Sequence, residues 1–405
     1  MVMMRPSFNR LFSAAPSLLP GGLLPPLRVV EEQVLAAAAA SVTFSSIDTK
    51  VPTGSLHLVV LVYAASDQAV TQGTNLRFNG DAGANYNRQR LSGINITASA
   101  ARSDGQTSTL GILAIPGTDY ASAFGGGSIL IPHFANTAKH KNVLGLGGGA
   151  EDEVDAILAR WASTSAITSV AVIPGAGNFA ANSRFVLCVV DERYNLASSI
   201  LGGAVTFSFT SISQNYGDLV VIGDLRTDRV SAGDGGVVQI NGDTTATNYF
   251  RQSLQGLNAA AESDSANSNG MSVCVADSAT ASTFGPVLAA FSAYALGDNQ
   301  KAYLTQSGRH DSVGPGGDSR VVSGRRANIA AITSLAFAPE VGTNFMTNSA
   351  MWLYGRPRAN VVAEKTLTAD QASIVFDKIP QGYRYRSISI VVYARTDRAA
   401  NDEDG

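Results

Sequence analysis

The chain has 405 residues, a net charge of −3, 45% hydrophobic residues and only 15% charged residues. That length exceeds one average domain and leaves each half enough chain for its own core. The charge gives no general pull toward nucleic-acid phosphates, two cysteines make no disulfide framework, and no apolar run is long enough to span a membrane.

Residues 1–33 stand apart from the rest. Pro6, Pro16, Pro20, Pro25 and Pro26 block a continuous helix and remove ladder donors. Arg5 and Arg10 bracket no clean apolar stretch of a secretory signal. An extended arm whose leucines dock on another subunit is expected, with a free terminus as the plainer alternative.

Residues 34–193 read as a first unit. Residues 56–63 are almost continuously apolar, as in a strand buried on both faces. Residues 72–78 and 85–91 flank Asn79-Gly80, and this dipeptide is a strong signal for a tight hairpin. Phe124-Gly125-Gly126-Gly127 should break the chain before a strand over 128–134, and the glycine run 145–149 reads as a loop. Val154, Ile157, Leu158 and Trp161 have helical spacing. The matching stretch further on, Val321-Val322-Ser323-Gly324, looks like strand, so residues 157–162 are read as strand. Closing strands are expected over 166–173 and 183–190.

The same order then returns, at an offset of about 160 to 166 residues. Phe78-Asn79-Gly80-Asp81 with Tyr86 is matched by Ile240-Asn241-Gly242-Asp243 with Tyr249. Val42-Thr43-Phe44 is matched by Val205-Thr206-Phe207, Lys141 by Lys301, and Asn178-Phe179 by Asn344-Phe345. Residues 194–360 therefore form a second unit, with an apolar strand at 219–222 and a glycine-rich link at 233–236. Its closing strands fall at 331–336 and 349–354. Residues 361–405 open a third, truncated or continuing beyond Gly405, with an alternating strand over 385–393. Many short strands between Gly, Asn and Ser turns argue an all-β chain of tandem jelly-roll-like β-sandwich modules behind an extended N-terminal arm.

No residue set stands out as a reaction centre. His57, His133, His140 and His310 have no histidine counterpart in the other copy. Their spacing is poor for zinc, so solvated or loop histidines are expected. Cys188 and Cys274 read as core thiols. The glycine run lacks the Lys-Ser/Thr of a phosphate-binding loop. Asp67, Asp228 and Asp397 recur, as do Asp81 and Asp243. A carboxylate pair could serve glycoside cleavage, and Asp81 with Asn85 could hold calcium, but a turn bonding its own backbone explains them more simply. Tyr86, Tyr249, Phe134 and Tyr294 recur as core aromatics. Phe78, Asn79, Gly80, Asp81, Tyr86, Phe179, Asn241, Gly242, Asp243, Tyr249 and Phe345 are thus expected as a repeated structural motif, with no catalytic residue, metal or cofactor.

Several of these segments resemble repeat modules of tailed-bacteriophage virion proteins. They are Phe78-Asn79-Gly80-Asp81 with Asn85-Tyr86, Phe134-Ala135-Asn136-Thr137, and Asn178-Phe179 with Asn182-Ser183. Asn344-Phe345, Asn348-Ser349 and Leu353-Tyr354-Gly355 resemble the closing motif of those modules. The chain departs from the pattern with Asn where Gly is usual, and with Cys188-Val189 where Tyr-Gly is usual. The resemblance covers about residues 34–405. It implies a β-rich, oligomeric, non-enzymatic structural protein of the virion. The expected place is a tail fibre or tail appendage that contributes to assembly and host attachment. A capsid decoration protein or head fibre is the alternative, and a glycan-cleaving depolymerase a third. The expected partners are copies of itself, in a ring or trimer, and other virion proteins through residues 1–33. A host cell-surface glycan is a further candidate; nucleic acid and membrane insertion are not expected. Strung-out modules would add reach and avidity.

Overall fold

A computed structural model describes residues 23–94, 97–149, 153–201, 206–310, 316–357 and 373–376. The first module is two antiparallel sheets. The larger has eight strands in the order β1 (Leu27–Val34), β12 (Arg184–Val190), β3 (Leu58–Ala64), β8 (Gly125–Ile131), β9 (Lys141–Gly149), β10 (Glu153–Trp161), β5 (Tyr86–Ile94) and β6 (Thr97–Gln106). The smaller has four: β2 (Val42–Phe44), β11 (Val170–Pro174), β4 (Gln72–Phe78) and β7 (Leu113–Ile115). The order β2-β11-β4-β7 against β3-β8 and β5-β6 is that of a jelly roll. One hairpin, β9–β10, is inserted in the large sheet, and β12 and β1 extend its other edge.

The second module has the same order, strand for strand. Its large sheet runs β13 (Asn195–Ile200), β24 (Ala350–Arg356), β15 (Asp218–Leu225), β20 (Gly285–Phe291), β21 (Lys301–His310), β22 (Gly317–Arg326), β17 (Tyr249–Leu257) and β18 (Ala260–Ala266). Its small sheet runs β14 (Phe207–Phe209), β23 (Leu335–Pro339), β16 (Gly233–Ile240) and β19 (Gly270–Val275).

Each module fills the space between its own two sheets with alternate residues. Leu58, Val60 and Val62 of β3 face Phe44, Leu76, Phe78, Val170 and Val172 across the first core. Leu219 and Val221 of β15 do the same in the second. The intervening residues build a third core. Val59, Leu61, Leu130, Leu144, Leu158, Val186 and Cys188 pack against Val220, Ile222, Leu288, Ala290, Trp352 and Tyr354. The two large sheets therefore lie face to face, and the described residues of the two modules form a four-layer block of small, large, large and small sheets. This explains why β3 reads as continuously apolar: both of its faces are buried. It also resolves the helical spacing in β10, where Ile157 belongs to the first core and Leu158 to the shared one.

The structure corrects several expectations. Residues 27–33 are not arm but part of β1, which pairs along β12; residues 1–22 lie outside the described residues. Asn79-Gly80 makes the tight turn, with φ of 50° and 68° and the Asp81 N–H bonded to Phe78 O at 2.8 Å, but no hairpin. β4 pairs with β11 and β7, whereas β5 pairs with β10 and β6. The turn carries the chain from one sheet to the other. The glycine stretches at 125–127, 145–149 and 233–236 are strand, not breaks or loops. Close approach requires glycine there: a Cβ on Gly148 would sit 2.1 Å from Glu153 O. The alternating strand expected at 385–393 and most of the third unit lie outside the described residues, and residues 373–376 form no strand.

Candidate functional site

The turn after β4 is the centre of the repeated motif. Asn79 accepts at Oδ1 from the N–H groups of Thr168 (2.8 Å) and Ser169 (3.1 Å), and its Nδ2 donates to Ala166 O (2.8 Å). Asn241 repeats this with Thr333 (2.8 Å), Ser334 (3.1 Å) and Ala331 (2.7 Å). Each asparagine thus ties the turn to the chain entering the next strand of the small sheet. Left-handed backbone at both, φ 50° and 53°, is tolerable for asparagine.

Beneath the turn sits a buried tyrosine. The Tyr86 hydroxyl accepts from Phe78 N–H (2.9 Å) and donates to Asp81 O (3.2 Å). Tyr249 does the same with Ile240 N–H (2.9 Å) and Asp243 O (3.0 Å). Burial pushes the Tyr86 hydroxyl up to about 12, so it stays protonated and can donate.

The carboxylates are consumed in the same way. Asp81 accepts from Trp161 Nε1 (2.7 Å), Asn85 Nδ2 (2.9 Å) and Gly83 N–H (2.8 Å). The indole donor leads in holding its carboxyl below the usual range. Asp243 is pushed up by burial, but Thr245 N–H (3.0 Å), Arg326 Nε (3.0 Å) and Asn248 outweigh that and bring it below the usual range. Trp161 and Arg326 hold the same register position, at the ends of β10 and β22 opposite Tyr86 and Tyr249. Indole in one copy and guanidinium in the other serve one acceptor. The sequence shows this exchange only once β10 and β22 are aligned.

A second repeated clamp closes the far end of each module. Asp67 accepts from the backbone and side-chain nitrogens of Asn178, both at 2.8 Å, and Asp228 accepts from Thr343 N–H (2.8 Å) and Asn344 N–H (3.0 Å). Phe179 and Phe345, next in sequence to these asparagines, are fully buried. Lys141 and Lys301 are buried too, and donate to loop carbonyls of Lys139 (3.0 Å) and Asn299 (2.9 Å).

The expected motif residues are thus brought together, but in two separate and equivalent sets. Asp81 and Asp243 each serve their own module's turn and form no acid–base pair. Among the described residues no group of three or more His, Cys, Asp or Glu could hold a metal ion. An open depression of about 430 Å³ is lined by Phe250, Arg251, Ser265, Ala266 and Asn267, with no His, Asp or Glu beside the Ser265 hydroxyl in its lining. Cys188 and Cys274 are buried, with their thiols pushed up to about 12 by burial.

What sequence reading missed is the joint between modules. Lys139 Nζ lies 3.4 Å from Asp224 Oδ2, both buried. Asn142 Nδ2 donates to Asp224 (3.3 Å) and Phe284 O (2.9 Å), and Arg160 Nη1 to Thr283 Oγ1 (2.8 Å). Gln306 Nε2 donates to Gly145 O (2.8 Å) and Ser319 Oγ to Ala156 O (3.0 Å). The histidines expected as solvated or loop residues lie here as well, with His57 and His310 buried. Apart from Arg160, matched by Arg325, the polar side chains of the joint have different residues at their counterpart positions, so no repeated motif marks it.

No protein-family model matches the chain, and no curated protein matches it. Among solved structures it is similar to the mouse laminin alpha1 chain, domains LG4-5, at 10% identity and a TM-score of 0.18. That likeness covers 84% of this chain and 92% of the other, and at such a score it carries no functional argument. The fold defines an all-β, tandem-sandwich protein.

Proposed function

We propose that the chain is a structural component of a tailed-phage virion, placed in the tail apparatus and contributing to assembly and host attachment. The virion assignment rests on the motif resemblance. One structural observation supports the non-enzymatic part: the polar side chains that recur in both modules, Asn79/Asn241, Asp81/Asp243, Asp67/Asp228 and Lys141/Lys301, are all engaged in internal hydrogen bonds. What has been kept in duplicate is a scaffold. Copies of the chain, in a ring or trimer, and neighbouring virion proteins are its partners, with a host glycan as the outward contact.

Face-to-face packing of the large sheets removes the reach that strung-out modules would supply. A rigid block favours a second reading, a decoration protein on the head surface. Labelled protein imaged on particles separates the two: density on tails supports the first, density on heads the second, and none on either removes the virion reading. Anchoring by the N-terminal segment is tested by deleting residues 1–22 only. Leu23 is buried in the shared core and Pro26 O accepts the Asp191 N–H at 2.9 Å, so a longer deletion would damage the block. Loss of incorporation with normal folding is expected; normal incorporation would remove the anchoring role.

A further inference from the structure

The chain has four histidines, and all four lie where the modules meet. His57, just ahead of β3, stands edge-on to Trp352 at 4.6 Å and to Tyr354 at 6.0 Å between ring centroids. Its Nδ1 accepts the His133 N–H at 3.2 Å, while its buried Nε2 has no hydrogen-bond partner. His133 stands edge-on to the same Trp352 at 5.0 Å. The backbone N–H of His140 donates to Ser282 O at 2.9 Å, and its Nδ1 is 3.3 Å from Thr283 Oγ1. His310, at the end of β21, reaches back to the first module. Its Nε2 is 3.1 Å from Asp104 Oδ1 but out of hydrogen-bonding alignment.

The charges facing these rings are mostly positive. Lys139 faces His57, with Glu192 behind the Tyr354 hydroxyl at 3.2 Å. Lys139 and Lys141 face His133, against Asp224. Arg160 and Lys141 face His140. Arg160, Arg102 and Arg309 face His310, against Asp104. A proton added to any ring would place another cation in a buried seam already rich in them.

We propose that the seam between the two large sheets is an acid-sensitive joint, which lets the modules separate on acidification while each sandwich stays folded. The inference rests on the fold alone and not on the virion reading. Burial, with the nearby cations, lowers all four rings: His133 and His140 to about 4, His310 to about 3, and His57 well below its ordinary value. In the separated state each histidine returns to about 6.5. Between about 6.5 and 4 the histidines therefore bind more protons in the open form than in the closed one, opposed only by Glu192, whose carboxyl is raised by burial. Opening becomes more favourable as pH falls, by up to about tenfold per pH unit for each histidine released. Above about 6.5 the histidines add nothing to opening.

Trp352 in the seam and Trp161 in the first core are the only tryptophans. In the full chain carrying Trp161→Phe, Trp352 emission is followed from pH 8 to 3.5 beside far-ultraviolet circular dichroism. X-ray scattering is run on the natural sequence over the same range. Trp352 emission and radius of gyration should change together, with a midpoint between about 6.5 and 4, while the β signal persists. The combined His133→Ala and His140→Gln change installs the residues that the second module carries at these places, Ala293 and Gln300. It should make the transition shallower and move it to lower pH. The proposal is overturned if emission and scattering stay constant to pH 4, if they change only with loss of the β signal, or if the double variant titrates like the parent.

Discussion

Replacing Asn79 by alanine tests whether the repeated asparagine is a structural tie. The change removes acceptance from Thr168 and Ser169 and donation to Ala166. These groups are partly exposed, so water replaces some of the loss, and the net cost is about 2 kcal/mol at roughly 1 kcal/mol per bond. Alanine must also adopt the φ of 50°, adding about 1 kcal/mol. The total is about 3 kcal/mol for Asn79→Ala and about 2 kcal/mol for Asn79→Gly, which keeps the backbone freedom. Because Asn241 has the same bonds to within 0.1 Å, the same pair of changes there should cost the same to within about 0.5 kcal/mol. Urea unfolding of the four variants measures this. A cost near zero at either position, or a severalfold difference between them, would refute the reasoning.

Gly148→Ala places a Cβ 2.1 Å from Glu153 O and should cost about 1 to 3 kcal/mol, read as a lower melting temperature; an unchanged melt would show that the β9–β10 hairpin is not packed this closely. Lys139→Met leaves Asp224 buried beside Asn142 and should destabilise by about 3 kcal/mol, while Lys139→Met with Asp224→Leu recovers most of that. Chemical denaturation checks both, and a neutral single change would place Lys139 in solvent. Cys188 and Cys274, with thiols near 12, should ignore a thiol-specific chromogenic reagent at pH 8 until the protein is unfolded; rapid native labelling would contradict their burial.

The repeat and the strands buried on both faces were legible from sequence, because apolar runs such as residues 58–64 report burial directly. The turn at Asn79-Gly80 was legible from its positive-φ residues, but not the sheet each flanking strand joins. Pairing with β11 on one side and β10 on the other is set by residues about 60 to 100 positions away. Glycine was misread at 145–149 because the same residue serves a loop that needs freedom and a strand that needs close approach. The joint was invisible for another reason. Its polar members Lys139, Asn142, Arg160 and Asp224 have Asn299, Ala302, Arg325 and Tyr63 at their counterpart positions, so only Arg160 is matched in kind and repetition cannot point to the set. His57, His133 and His140 do stand in loops or turns, but a lone histidine in a loop pattern carries no sign of the second module that covers it.

The four-layer block and its acid-sensitive joint depend on the two large sheets lying against each other in solution. The pair-distance distribution from X-ray scattering of the full chain at pH 7.5 tests that most directly. A single maximum with a radius of gyration of about 22 Å, the value for a compact body of this length, is the predicted result. Two maxima, or a shoulder at the spacing of two separate sandwiches, would contradict it.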